Sequence, residues 1–169
     1  MSNIILIGMP AAGKSTVGVI LAKLLGYSFM DTDLMIQRRE GRRLNEIIAD
    51  RGIDSFLAVE EAVCMGIQAD QCVIATGGSV IYSEAAMARL KTLGCIVYLE
   101  VDYETLAGRL QDIRGRGVVL RPGQTLAELY RERIRLYEKY ADMVVSEGGG
   151  NLEETVMRVY RKYTQVQRH

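Results

Sequence analysis

The sequence predicts an α/β fold of three layers, in which a mainly parallel sheet is covered by helices on both faces. Short apolar runs rich in β-branched residues alternate along the chain with longer segments of helical period. The apolar runs are continuous rather than alternating, which is typical of strands buried on both faces. Ligands bind such sheets at the carboxyl ends of the strands, so the residues that follow each strand are the first candidates for a site.

Five runs are predicted to be strands, at residues 3–7, 28–31, 72–76, 95–101 and 143–146. Segments with helical period lie between them: a helix after the first strand, a long helical stretch over residues 44–69, a helix before the fourth strand and two more before the fifth. A last helix begins near residue 152. No internal repeat or linker divides the chain, so residues 1–169 are predicted to form one domain.

Composition excludes several classes of function. The 21 basic and 21 acidic residues balance, which argues against a nucleic-acid partner. No apolar segment is long enough to cross a bilayer and no export leader is visible, so we expect a cytoplasmic protein without a membrane partner, as a monomer or weak dimer. Three cysteines without C-x-x-C spacing favour neither disulfides nor zinc, and we expect Cys64, Cys72 and Cys95 to be small buried residues.

The stretch GMPAAGKST, residues 8–16, follows the first strand and opens the first helix. Its spacing, G-x-x-x-x-G-K-S, is the phosphate-binding loop motif in the structural context that this motif requires. Glycines let the backbone wrap an anion, and the amides at the helix start point toward it. We expect Lys14 to be exposed and to bridge the terminal phosphates, and Ser15 to bind Mg²⁺. The candidate nucleotide-binding residues are Gly8, Ala11, Ala12, Gly13, Lys14, Ser15 and Thr16.

Two carboxylates, Asp31 and Asp33, follow the second strand. Either could simply cap the next helix. Beside a phosphate-binding loop, one carboxylate can hold the Mg²⁺ shell while the other orients or deprotonates an attacking hydroxyl. The only histidine is His169, at the end of the chain, so carboxylates, lysine or tyrosine must supply any acid or base chemistry.

Two further segments are candidates for the site. The third strand runs into ATGGSV, where Gly77 and Gly78 would let a substrate or backbone approach closely. The glycine-rich basic stretch at residues 113–125 is predicted to be a lid that carries Arg114, Arg116 and Arg121. In the following helix, a solvated ladder of opposite charges is the simplest interpretation of Arg133, Arg135 and Tyr137.

The ordered set of motifs resembles the shikimate kinase family, a branch of the nucleoside monophosphate kinase-like P-loop proteins. The motifs that carry the resemblance span nearly the whole chain: GMPAAGKSTVG, DTDLMI, GRRLNEIIADRGIDSFLAVEE, IATGGSV, LRP and RIRLYEKYAD. The resemblance implies a five-stranded parallel sheet in the order 2-3-1-4-5, a substrate-binding helical region at about residues 33–62 and a lid at about residues 112–125. It also implies an ATP- and Mg²⁺-dependent kinase that phosphorylates a hydroxyl of a small metabolite.

Site roles follow from the same resemblance. Lys14 and Ser15 would bind the ATP phosphates and Mg²⁺, with Asp31 in the metal shell. Asp33 would meet the substrate hydroxyls as the base or orienting group, and Arg121 would be the catalytic arginine of the lid. Arg114 and Arg116 would belong to the nucleotide side. The remaining substrate-binding candidates are Gly77, Gly78, Ser79 and Arg133, of which Arg133 would grip the substrate carboxylate.

The sequence departs from the family pattern at three places. Leu57 stands where the family has an arginine that binds the shikimate carboxylate, Ser79 replaces a third glycine, and the lid and following helix read RPGQ and RIRLY. Two acceptors therefore remain open: shikimate, or another small hydroxylated metabolite bound by Ser79 and by arginines of the helical region at about residues 33–62. Those arginines could equally form a solvated basic face. They are Arg38, Arg39, Arg42 and Arg43. A nucleotide-binding sensor without phosphotransfer is the alternative from another class.

Overall fold

The sheet has the predicted composition and strand order. The computed structural model describes residues 2–110 and 118–167. Five parallel strands pair in the order β2-β3-β1-β4-β5. They are β1 (Asn3–Ile7), β2 (Ser28–Asp31), β3 (Cys72–Ala75), β4 (Gly94–Glu100) and β5 (Met143–Ser146). Each strand lies within one residue of its predicted bounds.

Helices cover both faces of this sheet. Within the described residues they are α1 (Lys14–Leu25), α2 (Thr32–Glu40), α3 (Leu44–Met65), α4 (Glu84–Leu93), α5 (Tyr103–Arg109), α6 (Leu126–Tyr140) and α7 (Leu152–Val166). A 3₁₀ turn, Val80–Tyr82, precedes α4. None of the helices in this part of the chain combines the length and apolarity that a bilayer crossing requires.

The alternating direction of side chains along β1 explains why four consecutive residues, 4–7, are all apolar. Ile5 and Ile7 pack into a cluster with buried residues of α4 and α6, whereas Ile4 and Leu6 pack into a second cluster with α1 and α7. All five residues of β1 are buried. Because β1 lies at the centre of the sheet, the loop that follows it is held at the middle of the carboxyl edge.

The predicted helix over residues 44–69 is too long at its carboxyl end. Helix α3 ends at Met65, where the Gly66 amide donates to the carbonyl oxygens of Ala62 and Val63, both at 3.2 Å. The chain then turns so that Ile67 enters the core. The helical geometry of α3 is also interrupted at Gly52, which has φ 80° and ψ 171°.

The predicted lid is described only in part. Residues 111–117, which include Arg114 and Arg116, lie outside the described residues, as does His169. Residues 118–124 run without regular secondary structure to Thr125, which caps α6. The Thr125 hydroxyl accepts from the Glu128 amide at 3.2 Å, and the Glu128 carboxylate accepts from the Thr125 amide at 2.9 Å.

Candidate functional site

The phosphate-binding motif forms an open helix start. Gly13 is the N-cap of α1 and has φ 86°, a left-handed conformation that glycine adopts without steric cost. No side chain caps the helix, so its first amides are left for an anion. A cavity of about 580 Å³ lies beside this helix start, at the carboxyl edge of the sheet.

The predicted site residues that line the cavity come from four distant parts of the sequence. These parts are the loop after β1, the start of α2, the turn after β3 and the middle of α6. The residues are Ala11, Gly13, Lys14, Ser15, Thr16, Asp33, Gly77, Gly78, Ser79 and Arg133.

Of the cysteines, Cys64 and Cys72 are buried and Cys95 is partly buried, and all three are free thiols.

Lys14 is buried, and the prediction that it is exposed is wrong. Its side chain is 8% exposed, and Nζ donates to the carbonyl oxygens of Gly8 and Met9, both at 2.8 Å. Burial lowers the pKa of Lys14 to about 8, against an opposing attraction from Asp33. The ammonium group therefore remains mostly charged at neutral pH, at the centre of the phosphate-binding loop.

The two predicted metal ligands are in contact. The Ser15 hydroxyl donates to Asp31 Oδ2 at 2.6 Å. The other oxygen of Asp31, Oδ1, accepts from the amides of Asp33 and Leu34 at 2.9 and 3.2 Å, so that Asp31 is also the N-cap of α2. The Asp31 carboxylate therefore has both roles: Oδ1 caps α2, and Oδ2 contacts Ser15.

Asp33 faces the cavity from the first turn of α2. Burial raises the pKa of Asp33 to about 6, and Lys14 partly offsets that rise. The carboxylate is therefore mostly ionised at neutral pH and can accept a proton or a hydrogen bond.

The turn after β3 is glycine-rich because other side chains converge on it. A Cβ on Gly77 would stand less than 3.0 Å from both Glu60 Oε1 and Asp33 Oδ1. A Cβ on Gly78 would stand 2.8 Å from Pro10 and 2.9 Å from Arg133 Nη1. The sequence predicted that a substrate or backbone would approach these glycines closely. In the structure it is protein side chains that do so: two carboxylates lie beside Gly77, and a guanidinium lies beside Gly78.

Arg133 is buried in the site, and the interpretation of this part of α6 as a solvated charge ladder is wrong. Its side chain is 1% exposed, with Nε donating to the Tyr82 hydroxyl at 3.3 Å and Nη2 to the Val119 carbonyl at 3.1 Å. Tyr137 is also buried and donates to the Gly78 carbonyl at 2.6 Å. Only Arg135 is exposed, as that interpretation requires.

Several basic candidates are not brought to the cavity. Arg121 is exposed and lies against a shallow surface depression beside Ile53 and Pro122. The four arginines that were candidates for binding an acceptor are exposed and do not line the cavity: Arg38, Arg39, Arg42 and Arg43. Two of them pair with carboxylates on the surface, Arg39 with Glu40 and Arg42 with Asp50.

Sequence reasoning missed Arg109, which lines the cavity from the end of α5. Its guanidinium donates to the Ala11 carbonyl at 3.2 Å and pairs with Glu147 at 2.5 Å. In the sequence, Arg109 cannot be distinguished from any other basic residue at the end of a helix. Its position next to the phosphate-binding loop depends on the fold.

Leu57 does not face the main cavity. It is half-buried and packs at the edge of an apolar cluster that contains Ile47, Phe56 and Val119. It lines a smaller cavity of about 190 Å³ together with Glu60 and Ser79. Ser79 lines both cavities.

Comparison with known proteins identifies the family. The sequence profile of shikimate kinases matches residues 10–164. The chain belongs to the shikimate kinase family. A shikimate kinase of Clostridium botulinum is 35% identical over 170 residues, covering 96% of this chain and 98% of the relative. A shikimate kinase of Gloeobacter violaceus is 39% identical over 151 residues, covering 87% and 84%.

The fold agrees with the family assignment. The solved structure of shikimate kinase from Acinetobacter baumannii in complex with shikimate superposes with a TM-score of 0.87 at 30% identity, covering 98% of this chain and 94% of that one. Membership of the shikimate kinase family, the class of ATP-dependent small-molecule kinase and the sheet order 2-3-1-4-5 are thereby confirmed as predicted.

Proposed function

We propose that this protein transfers the γ-phosphate of ATP to a hydroxyl group of shikimate. The observation that carries the proposal is the arrangement around one cavity: the phosphate-binding loop with Lys14 on one side, and Asp33 and Arg133 converging on the glycine turn on the other. A phosphate donor, a base and a carboxylate-binding cation are the parts that phosphorylation of a hydroxy acid requires.

The nucleotide side consists of the loop residues Gly8–Thr16 and the open start of α1. Lys14 supplies positive charge where negative charge develops during transfer, and the amides of the helix start hold the phosphate oxygens. Arg109, beside the Ala11 carbonyl, adds a second cation on this side. Arg114, Arg116 and Arg121 belong to the proposed lid at residues 112–125. Arg121 follows Val118 and Val119, which line the cavity.

The residues present fit Mg²⁺. Mg²⁺ prefers oxygen ligands and takes few of them from the protein, keeping waters and substrate phosphate oxygens for the rest. Ser15 Oγ and Asp31 Oδ2, which are 2.6 Å apart, would hold it directly or through water. When bound, Mg²⁺ neutralises charge on the phosphate oxygens.

The acceptor side is proposed to lie within residues 33–62, the glycine turn with Ser79, and Arg133. Asp33 would accept the hydroxyl proton or orient the hydroxyl for in-line attack on phosphorus. Arg133 would bind the carboxylate as the one buried guanidinium on the cavity among the described residues. All these residues belong to one chain, which supports a site that is complete in the monomer.

The experiment that tests the proposal measures ADP release with Mg²⁺ and ATP across a panel of hydroxylated metabolites. We expect shikimate to stimulate ADP release and ³¹P NMR to show a new phosphate monoester on shikimate. Stronger stimulation by another hydroxylated metabolite would assign the acceptor site to that compound. Tight ATP binding without stimulation by any acceptor would contradict phosphotransfer and favour a nucleotide-binding sensor.

A further inference from the structure

Glu60 is a buried carboxylate without a cation. Its side chain is 2% exposed on α3, and among the described residues no lysine or arginine lies within ion-pair distance of it. Oε2 accepts a hydrogen bond from the Ser79 hydroxyl at 2.6 Å. Oε1 is buried and has no hydrogen-bond partner within residues 2–110 and 118–167. A buried ionised carboxylate with one oxygen unpaired is costly, so the group requires either a donor or a proton of its own.

The unpaired oxygen lies near the proposed base, beside Gly77. Glu60 Oε1 and Asp33 Oδ1 both approach the same face of Gly77, where each would lie less than 3.0 Å from a Cβ. Within the described part of the chain, no side-chain or backbone group donates a hydrogen bond to the Asp33 carboxylate. Two carboxylate oxygens without a hydrogen-bond donor among the described residues therefore lie beside the same glycine.

We infer that Glu60 is a positioning residue for Asp33: in its neutral form it donates a hydrogen bond from Oε1 toward Asp33 Oδ1, while the Ser79 hydroxyl fixes Oε2. The hydrogen bond orients the Asp33 carboxylate and leaves Oδ2 for the acceptor hydroxyl. Ser79, the residue that replaces a third glycine, then has a defined role, because its hydroxyl holds the Oε2 atom of Glu60 without adding a full positive charge beside it.

The surroundings of Glu60 favour the neutral form. Burial raises the pKa of Glu60 to about 7, and the Asp33 charge acts in the same direction. The Ser79 hydrogen bond and the positive charges of Arg133 and Lys14 oppose the rise. Cys64 and Tyr137 also interact electrostatically with Glu60. Burial raises the pKa of both groups, so both are neutral at pH 7.

The neighbouring Glu61 provides a matched control. It lies on the same helix, lines the same small cavity and also accepts a hydrogen bond from a serine, Ser83, at 2.5 Å. Unlike Glu60, it is not among the atoms nearest to a Cβ on Gly77. The two Ser–Glu pairs therefore differ in whether the carboxyl group lies beside Gly77.

The kinetic test rests on the proposed function and compares Glu60→Ala, Glu60→Gln and Glu61→Gln. Loss of positioning in Glu60→Ala should lower kcat roughly 10- to 100-fold with little change in KM for ATP. Glu60→Gln should restore most of that loss, because its amide can donate to Asp33 and accept from Ser79. It should also remove the fall in kcat that wild type shows as pH rises through the ionisation of Glu60.

Equal losses in Glu60→Gln and Glu60→Ala would overturn the inference, since they would mean that the negative charge of Glu60 is what matters. So would a Glu61→Gln variant as impaired as Glu60→Ala. If Glu60→Ala does not fold, Ser79→Ala serves in its place: we expect a severalfold fall in kcat with an unchanged KM for ATP, and an unchanged kcat would count against the inference.

A measurement without substrates separates this inference from the proposed function. The side-chain carboxyl carbon of Glu60, assigned in a ¹³C NMR spectrum by comparison with Glu60→Gln, is followed from pH 4 to pH 9. We expect the neutral form to persist to near pH 7. A Glu60 already ionised at pH 5.5 would overturn the inference even in a fully active enzyme. A neutral Glu60 in a protein without shikimate-dependent turnover would contradict the proposed function alone.

Discussion

Lys14 contributes charge to the phosphate-binding loop rather than apolar packing to the core. Within the described residues, its Nζ donates hydrogen bonds to two loop carbonyl oxygens and to no other acceptor. We expect Lys14→Ala to remain folded and to lower turnover by at least about 100-fold, because the transition state loses a fixed positive charge. Initial rates of ADP release and thermal melting of the variant would test this. Lys23→Ala, at an exposed position near the end of the same helix, is the control and should keep wild-type turnover.

Asp31 and Asp33 should separate kinetically, because the structure places them in different surroundings. Asp31 contacts Ser15 and caps α2, whereas Asp33 faces the cavity beside Gly77. Asp33→Asn should lower kcat far more than it weakens Mg²⁺–ATP binding, and Asp31→Asn should show the opposite balance. Nucleotide affinity measured by calorimetry beside steady-state rates would decide. Equal weakening of nucleotide binding in both variants would contradict the division of roles.

At the scale of elements, α3 carries the departure from the family pattern that bears most directly on the acceptor. Leu57 lies one turn from Glu60 on the same helix and shares the small cavity with it. We expect Leu57→Arg to lower the apparent KM for shikimate by about tenfold if its guanidinium reaches the carboxylate, since a charged hydrogen bond contributes roughly 1.5–3 kcal/mol. The same cation should ionise Glu60 and lower kcat.

The informative result for Leu57→Arg is thus a change of KM and kcat in the same direction. Leu57→Met, which keeps an apolar side chain of similar volume, is the control for packing and should change neither strongly. A wild-type KM for shikimate already in the low micromolar range would show that Leu57 is no handicap. Unchanged kinetics in Leu57→Arg would show that the side chain does not reach the site.

Elements were predictable from the sequence to the extent that their signals are local. The continuous apolar strands, the glycine and lysine spacing of the loop, and the carboxylates after β2 are all read within one short segment. The burial of Arg133 was not predictable in this way, because it depends on Tyr82 and Val119, which lie far from it in the chain. The same holds for Glu60 and Asp33, which meet only across Gly77.

At the scale of the whole molecule, burial shifts the pKa values of Lys14, Asp33 and Glu60 toward the neutral form of each group. A carboxyl group with a raised pKa in the folded state contributes stability below its unfolded pKa and loses that contribution as pH rises through the folded value. For Glu60 this window runs from about 4.5 to about 7. For Lys14, whose pKa is lowered, the contribution is lost as pH falls from about 10.5 toward 8.

We therefore expect the free energy of unfolding of the wild type to fall between pH 4.5 and pH 7 more steeply than that of Glu60→Gln. The difference should reach at most about 3.5 kcal/mol, for a pKa raised from 4.5 to about 7 at about 1.4 kcal/mol per pKa unit. Urea denaturation at several pH values measures it. Glu61→Gln should follow the wild-type slope. Parallel curves for wild type and Glu60→Gln would contradict the assigned pKa of Glu60.

The order of the strands has a consequence for how this protein can change over evolutionary time. The loop proposed to hold the nucleotide follows β1, which pairs on both sides and is buried throughout, so alterations there disturb the centre of the molecule. Helices α2 and α3 follow β2 at the edge of the sheet. A lineage can therefore exchange single residues such as those at positions 57 and 79, and drift in the acceptor it prefers, while it inherits its phosphate donor unchanged.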